Sequence, residues 1–199
     1  MQPPRSQIRS TKIFYLHPMM LTIDPFILSI QEESSYSLSS TDNVNLYEHV
    51  YGNASDHSST RVGLVLKQEE QTCHTRLLCA DGGPTGVHER MVLVEENFLL
   101  VAVGNSVFCL TLPELSLIWQ TRADEASCFQ LFAWHGGILV HGELNITYLS
   151  RAGNILWQFQ GPDIFTTPEG FAGVLTDQHF RIKDWTGSEY KLDVKGKLL

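Results

Sequence analysis

His141 and Glu143 are the residues of this chain whose types and spacing best suit chemistry; they stand two apart in His141-Gly142-Glu143. In a strand, residues i and i+2 share a face, so the imidazole and the carboxylate would point the same way. Such a pair could orient a general base, or hold a metal if further ligands joined it. The same spacing suits a cross-strand polar pair with no chemistry, and that is the expectation here. Asp163 and the adjacent Asp124-Glu125 could supply carboxylates for acid–base work. Asp163 follows Gly161-Pro162, however, where an aspartate stabilises a turn through its own side chain. Cys128 with His135 or His141 would make a nucleophile and its base. Alternation instead sets Cys128 among Ala126, Phe129 and Leu131, as a core residue, and His135 falls in an exposed turn, Trp134-His135-Gly136-Gly137. No catalytic residue is assigned on this basis; His141, Glu143 and Asp163 are kept as the candidates for a polar pocket.

Other chemistry lacks its motif. Asp81-Gly82-Gly83-Pro84-Thr85-Gly86 is a strong turn signal, but it lacks the G-K-[ST] ending of a phosphate loop. No G-x-S-x-G, H-E-x-x-H or dinucleotide fingerprint occurs. Cys73, Cys79, Cys109 and Cys128 form no C-x-x-C pair, so the expectation is four reduced thiols, no structural metal and no cofactor.

Charge narrows the partner. The 199 residues hold 14 Lys and Arg against 22 Asp and Glu, a net charge of −8. That is not the footprint of a nucleic-acid binder. Arg181, Lys183, Lys191, Lys195 and Lys197 are interrupted by Asp184, Glu189 and Asp193, and read as a mixed solvated face. An acidic chain suits a basic protein partner, and Asp124 and Glu125 are the acidic groups expected to meet it. Met1-Gln2-Pro3-Pro4-Arg5 lacks an apolar signal region. The apolar stretch 13–30 contains His17, Pro18, Asp24 and Pro25, which rules out a membrane span. Cytoplasm is the default expectation, and the glycosylation patterns at Asn53 and Asn145 are then accidental. The oligomeric state is not legible.

The elements that would position these groups are strands. No long segment carries an i, i+3, i+4, i+7 apolar stripe, so helix content should be low. Strand-like runs fall at 61–67, 91–94, 98–103, 106–112, 115–120, 138–141, 144–149, 154–159, 179–185 and 189–194. Their spacing of about 8–12 residues is an all-β pattern. Residues 34–41 (SSYSLSST) and 52–60 (GNASDHSST) read as loops. A shift of 38 lays Phe98–Gln120 on Gly136–Gln158 without a gap, matching Gly104 to Gly142 and Trp119 to Trp157. A weaker third copy lays 148–156 on 191–199 at an offset of 43, with Gly153 on Gly196. A period near 40 with several short strands is that of a propeller blade. Gly153 and Gly196 suit turns with positive φ, and the two Trp should cap the layer between neighbouring sheets. The division expected is an irregular, β-containing part with Ser- and Gly-rich loops over 1–90 and a β-repeat part over 91–199.

The runs Leu149-Ser150-Arg151-Ala152-Gly153-Asn154-Ile155-Leu156-Trp157 and Leu192-Asp193-Val194-Lys195-Gly196-Lys197-Leu198-Leu199 resemble the blade motif L-D-x-x-G-x-x-L-W of quinoprotein-type (PQQ-like) propellers. The stretches 154–165 and 184–193 are similar to uncharacterised bacterial proteins of this size. The resemblance implies a fold, a propeller-like or partial-propeller or β-sandwich domain, and no activity of its own. The function expected is non-enzymatic protein binding, in one version a bacterial immunity or inhibitor protein that neutralises a basic toxin. The alternative is a small-ligand sensor or hydrolase-like enzyme with a His/Glu/Asp-lined pocket.

Overall fold

The structure is a computed structural model that describes residues 18–53, 60–167, 170 and 173–199. The amino-terminal basic residues Arg5, Arg9 and Lys12 and most of the 52–60 loop lie outside them. The described residues are all-β, with one 3-10 turn at Glu89–Met91. They build four sheets in chain order.

The first sheet holds β1 (Met19–Ile23), β2 (Phe26–Glu32), β3 (His49–Gly52), β4 (Thr60–Gln68) and β5 (Gln71–Ala80). β1, β2, β4 and β5 form an antiparallel meander, and β3 adds to the edge of β5 in parallel. This region reads as irregular in sequence because a long insert separates β2 from β4. The insert is fastened to the sheet. Glu33 is buried and accepts from Gln31 Nε2 at 2.6 Å, Asn45 Nδ2 at 2.7 Å and the Tyr47 hydroxyl, while the Tyr47 ring lies over Gly63.

The second sheet is the meander β6 (Val92–Glu95), β7 (Phe98–Val103), β8 (Ser106–Thr111), β9 (Leu117–Arg122). The third is the meander β10 (Cys128–Trp134), β11 (Gly137–Gly142), β12 (Asn145–Leu149), β13 (Ile155–Gln160). The fourth has β14 (Val174–Leu175), β15 (Phe180–Lys183) and β16 (Glu189–Leu192), with an isolated bridge from Leu198 back to Leu192. These units are the ~40-residue repeats, and the architecture is propeller-like.

Burial follows place in the stack. β7 and β8 are nearly continuous apolar runs because both faces of the second sheet are covered. β15 alternates Phe180, Arg181, Ile182, Lys183 because one face is covered. One core joins the first three sheets through Leu64, Leu78, Leu99, Phe108, Val140 and Leu149. A second core joins the third and fourth through Leu139, Ile146, Tyr148, Phe180, Ile182 and Leu192.

The repeat has a structural cause. Trp119, on the outer strand of the second sheet, lies over Gly153 in the β12–β13 turn, and its Nε1 donates to Arg151 O at 3.0 Å. Trp157, on the outer strand of the third sheet, lies over Gly196, and its Nε1 donates to Val194 O at 2.9 Å. Both glycines have positive φ, +82° and +74°. In both turns a side chain closes the loop by accepting from the backbone N–H four residues on: Ser150 Oγ accepts from Asn154 N at 3.1 Å, and Asp193 Oδ1 from Lys197 N at 2.9 Å. Each Trp is only half-buried. They clasp the next sheet from its outer edge rather than fill the layer between sheets, because β9 and β13 are the outermost strands. The first sheet has no Trp at this place. Arg76 of β5 stands in, donating from Nη2 to Glu114 O at 2.7 Å and from Nε to Leu115 O at 3.0 Å. Leu115 carries the positive φ of that turn, +53°.

Candidate functional site

Asp124, Glu125, Glu143 and Asp163, with His141 near the end of its strand, gather at one end of the stack, where the β5–β6, β7–β8, β9–β10, β11–β12 and β13–β14 connections meet; His135 lies in a turn at the other end. Backbone hydrogen bonds tie these connections together. Asn105 N donates to Asp81 O at 2.8 Å, Gly83 N to Ala126 O at 3.3 Å, Glu143 N to Ser127 O at 2.8 Å and Phe165 N to Glu143 O at 2.7 Å. The equivalent glycines of the repeat serve the same packing: Gly104 rests on the Asp81 backbone and Gly142 on the Asp124 carboxylate, each leaving no room for a Cβ.

Asp124 is not a surface group. It is 2% exposed. Its Oδ1 accepts from Ala126 N at 2.6 Å and Ser127 N at 3.2 Å, and its Oδ2 from Leu144 N at 3.0 Å and Asn145 N at 2.8 Å. Burial pushes its carboxyl above the ordinary range, against the pull of those four N–H groups. The expectation that Asp124 faces a partner is thereby corrected: the carboxylate is spent on joining two connections whose backbone donors would otherwise be unpaired. Glu125, next to it, is exposed.

His141 is fully buried. Its Nε2 lies 2.6 Å from Phe165 O and its Nδ1 lies 3.1 Å from Gln130 Oε1, while Phe129 and Phe180 flank the ring. Burial drives its pKa down to about 4, so the ring is neutral. Phe165 O requires a proton on Nε2, which leaves Nδ1 to accept from the Gln130 amide once that group is turned. Neither nitrogen is open to a substrate. Glu143, two residues on, is half-buried beyond the strand end, so the shared face inferred from i, i+2 spacing does not unite the two groups. Asp163 is half-buried and its Oδ1 accepts from Ile164 N at 2.8 Å, a turn contact. His135 is exposed in its turn, with Nε2 2.6 Å from Asp177 O.

Cys79, Cys109 and Cys128 are buried and Cys73 is half-exposed; all four are free. Burial raises the Cys79 and Cys109 thiols to about 11. Among the described residues no group of three or more His, Cys, Asp or Glu converges as a metal site, and no helix is long and apolar enough to cross a membrane.

A cleft of about 290 Å³ opens elsewhere, between the outer parts of the second and third sheets. Phe98, Cys109, Ile118, Trp119 and Ile138 line it, and an ion pair between Glu95 Oε2 and Arg151 Nη1 at 2.9 Å borders it. His141, Glu143 and Asp163 take no part in it. Arg76 and the Glu33–Tyr47 pair are polar groups that sequence reasoning passed over. The signal for the first was a lone cation in the apolar run Thr75-Arg76-Leu77-Leu78-Cys79-Ala80.

No protein family and no curated protein matches this sequence. Solved structures similar in shape include BamB from Moraxella catarrhalis, at 11% identity and a TM-score of 0.49 over 92% of this chain and 60% of that one. The CNH domain of AfRom2 is similar at 10% identity and a TM-score of 0.44, over 94% of this chain and 68% of that one. The chain thus spans about 60% of the BamB structure's length.

Proposed function

We propose that this chain is a non-enzymatic protein-interaction domain whose loop end receives a basic partner. The observation that supports this is the convergence of Asp81, Glu125, Glu143 and Asp163, exposed or half-buried, on connections that are hydrogen-bonded into one frame. Carboxylates on a rigid frame present a fixed negative field, which steers association and fixes orientation. In the finer version the partner is a basic toxin or nuclease, and the chain neutralises it as a bacterial immunity or inhibitor protein does. The net charge of −8 favours that version. The test is association kinetics with a basic protein such as cytochrome c or a candidate toxin. Glu125→Lys with Glu143→Lys should slow association by roughly tenfold at low salt, and the loss should shrink as ionic strength rises. Unchanged, salt-insensitive association would reject the loop end as the interface.

The cleft beside Trp119 favours a second reading, a small-ligand sensor for apolar molecules. Titration with an apolar fluorophore such as anilinonaphthalene sulfonate separates the two: binding lost in Ile138→Trp and indifferent to Glu125→Lys supports the sensor.

A further inference from the structure

The fourth sheet has two unlike faces. Phe180, Ile182, Leu192 and the half-buried Tyr190 pack inward toward the third sheet. Arg181, Lys183, Glu189 and Lys191 alternate with them and are exposed. At the equivalent outward positions the third sheet has Leu139, His141, Ile146 and Tyr148, all buried beneath the fourth. The fourth sheet thus carries charge where the third carries apolar side chains. The register places Arg181 directly opposite Lys191, and Lys183 opposite Glu189. Opposed charges of one sign are destabilising, whereas a mixed pair would be equally well solvated and would add stability.

Glu189, opposite Lys183, is the acid on this face and leaves Arg181 and Lys191 opposed without one; the other neighbouring acids are engaged elsewhere. Asp184 lies on the buried side, where Oδ1 accepts from Thr186 N at 3.0 Å, Thr186 Oγ1 at 2.7 Å and Ser188 N at 3.0 Å, and Oδ2 accepts from the Tyr190 hydroxyl at 2.8 Å. Asp193 Oδ1 accepts from Lys195 N at 2.8 Å and Lys197 N at 2.9 Å. Among the described residues, Arg181, Lys183 and Lys191 form no ion pair. Two apolar groups flank the face: Trp185, 52% exposed, follows β15, and Val174, 44% exposed, is paired with Arg181.

We propose that this outward face of the fourth sheet is an interaction surface for an acidic segment of a partner protein. Arg181 and Lys183 stand about 7 Å apart along the strand, the repeat at which an extended peptide presents alternate side chains. Carboxylates on alternate residues of such a segment answer Arg181, Lys183 and Lys191, and an apolar residue between or beside them covers Trp185. A nucleic acid fits less well, because its charge runs on past this small patch into a chain of net charge −8. Trp185 borders the loop end, its N donating to Ile164 O at 2.8 Å, but the face is opposite in sign and its cations lie on other residues, so it is tested by other variants than the basic partner proposed above.

The experiment uses the full chain and a short fluorescein-labelled peptide in which glutamate alternates with valine, read by fluorescence anisotropy. Companion probes are the lysine-for-glutamate version of the peptide and a labelled single-stranded oligodeoxynucleotide. The expected result is binding of the acidic peptide that weakens with salt and falls by at least about fivefold in Arg181→Glu with Lys191→Glu, since single exposed ion pairs contribute little each. Arg181→Gln with Lys191→Gln should lower it less and, by removing a like-charge pair, should fold at least as well as the parent; it is the variant to read if the reversal does not fold. Glu125→Lys with Glu143→Lys should leave acidic-peptide binding intact. No binding of the acidic peptide, or binding equal in parent and both Arg181/Lys191 variants, overturns the proposal. Tighter, equally sensitive binding of the oligonucleotide overturns it too and assigns the face to nucleic acid.

Discussion

Alanine at Gly153 tests whether the indole clasp holds neighbouring sheets together. Gly153 has φ +82°, and a Cβ there would come within 2.6 Å of Trp119 Cδ2. Two costs follow. A left-handed conformation costs a non-glycine residue ~1–2 kcal/mol. The Trp119 indole must also shift, which weakens its 3.0 Å bond to Arg151 O, worth ~0.5–1.5 kcal/mol, and part of its burial against the turn. The total is about 3 kcal/mol, a drop of roughly 6–12 °C in melting temperature for a chain of this size. Gly136 is the control, since its φ is +79° and a Cβ there would meet nothing within 4 Å. Gly136→Ala should therefore show the conformational cost alone, about 1–2 kcal/mol. The assay is urea unfolding followed by circular dichroism, extended to a double-mutant cycle with Trp119→Leu. Once the indole is gone, Gly153→Ala should cost no more than Gly136→Ala, leaving a coupling energy of about 1 kcal/mol or more. Equal costs at the two glycines in the parent chain, or strict additivity in the cycle, would refute the clasp.

Three further outcomes are expected. His141 is neutral when folded, with a pKa near 4 against 6.5 for the free group. Between those values the unfolded chain takes up a proton that the folded chain refuses, so stability is full above about pH 6.5 and falls toward pH 4 by roughly 3 kcal/mol. His141→Gln should remove that component from the difference between stability–pH curves, and identical curve shapes would contradict it. Asp124→Asn should cost about 2–4 kcal/mol in urea unfolding, because an amide NH₂ replaces an acceptor facing backbone donors, while Glu125→Lys should change stability by less than about 0.5 kcal/mol. Equal effects at the two positions would show that Asp124 is not the internal brace. Thiol titration of the native chain should label Cys73 first, with Cys79, Cys109 and Cys128 reacting only on unfolding; rapid labelling of all four would contradict their burial.

The sequence by itself determined the repeat and most strands from β6 onward, while β1, β2, β3, β5, β10 and β14 were not among the runs it marked. Period-2 patterning is a local property, and β7, β8, β11, β12, β15 and β16 are legible because each strand's faces are either both covered or alternately covered. The equivalence of Trp119 with Trp157 and of Gly153 with Gly196 was also legible, since a turn of positive φ and the indole that closes over it constrain residue type wherever they recur. Where the same place is filled by Arg76 and Leu115, no identity marks it, and the first sheet read as irregular. Which polar groups are free was decided by tertiary structure alone. Asp124 and Glu125 are neighbours with the same charge, yet one accepts four backbone N–H groups inside the frame and the other faces water. His141 looked like half of a polar pair, but the carbonyl of Phe165 and the amide of Gln130, 24 and 11 residues away, claim both of its nitrogens. The charged outward face of the fourth sheet reads as a mixed run along the chain, and only strand register sets Arg181 against Lys191 while folding Asp184 to the other side. Hydrogen-bond partners and cross-strand neighbours are long-range in sequence and short-range in space, so a side chain's availability is settled only when the sheets are stacked.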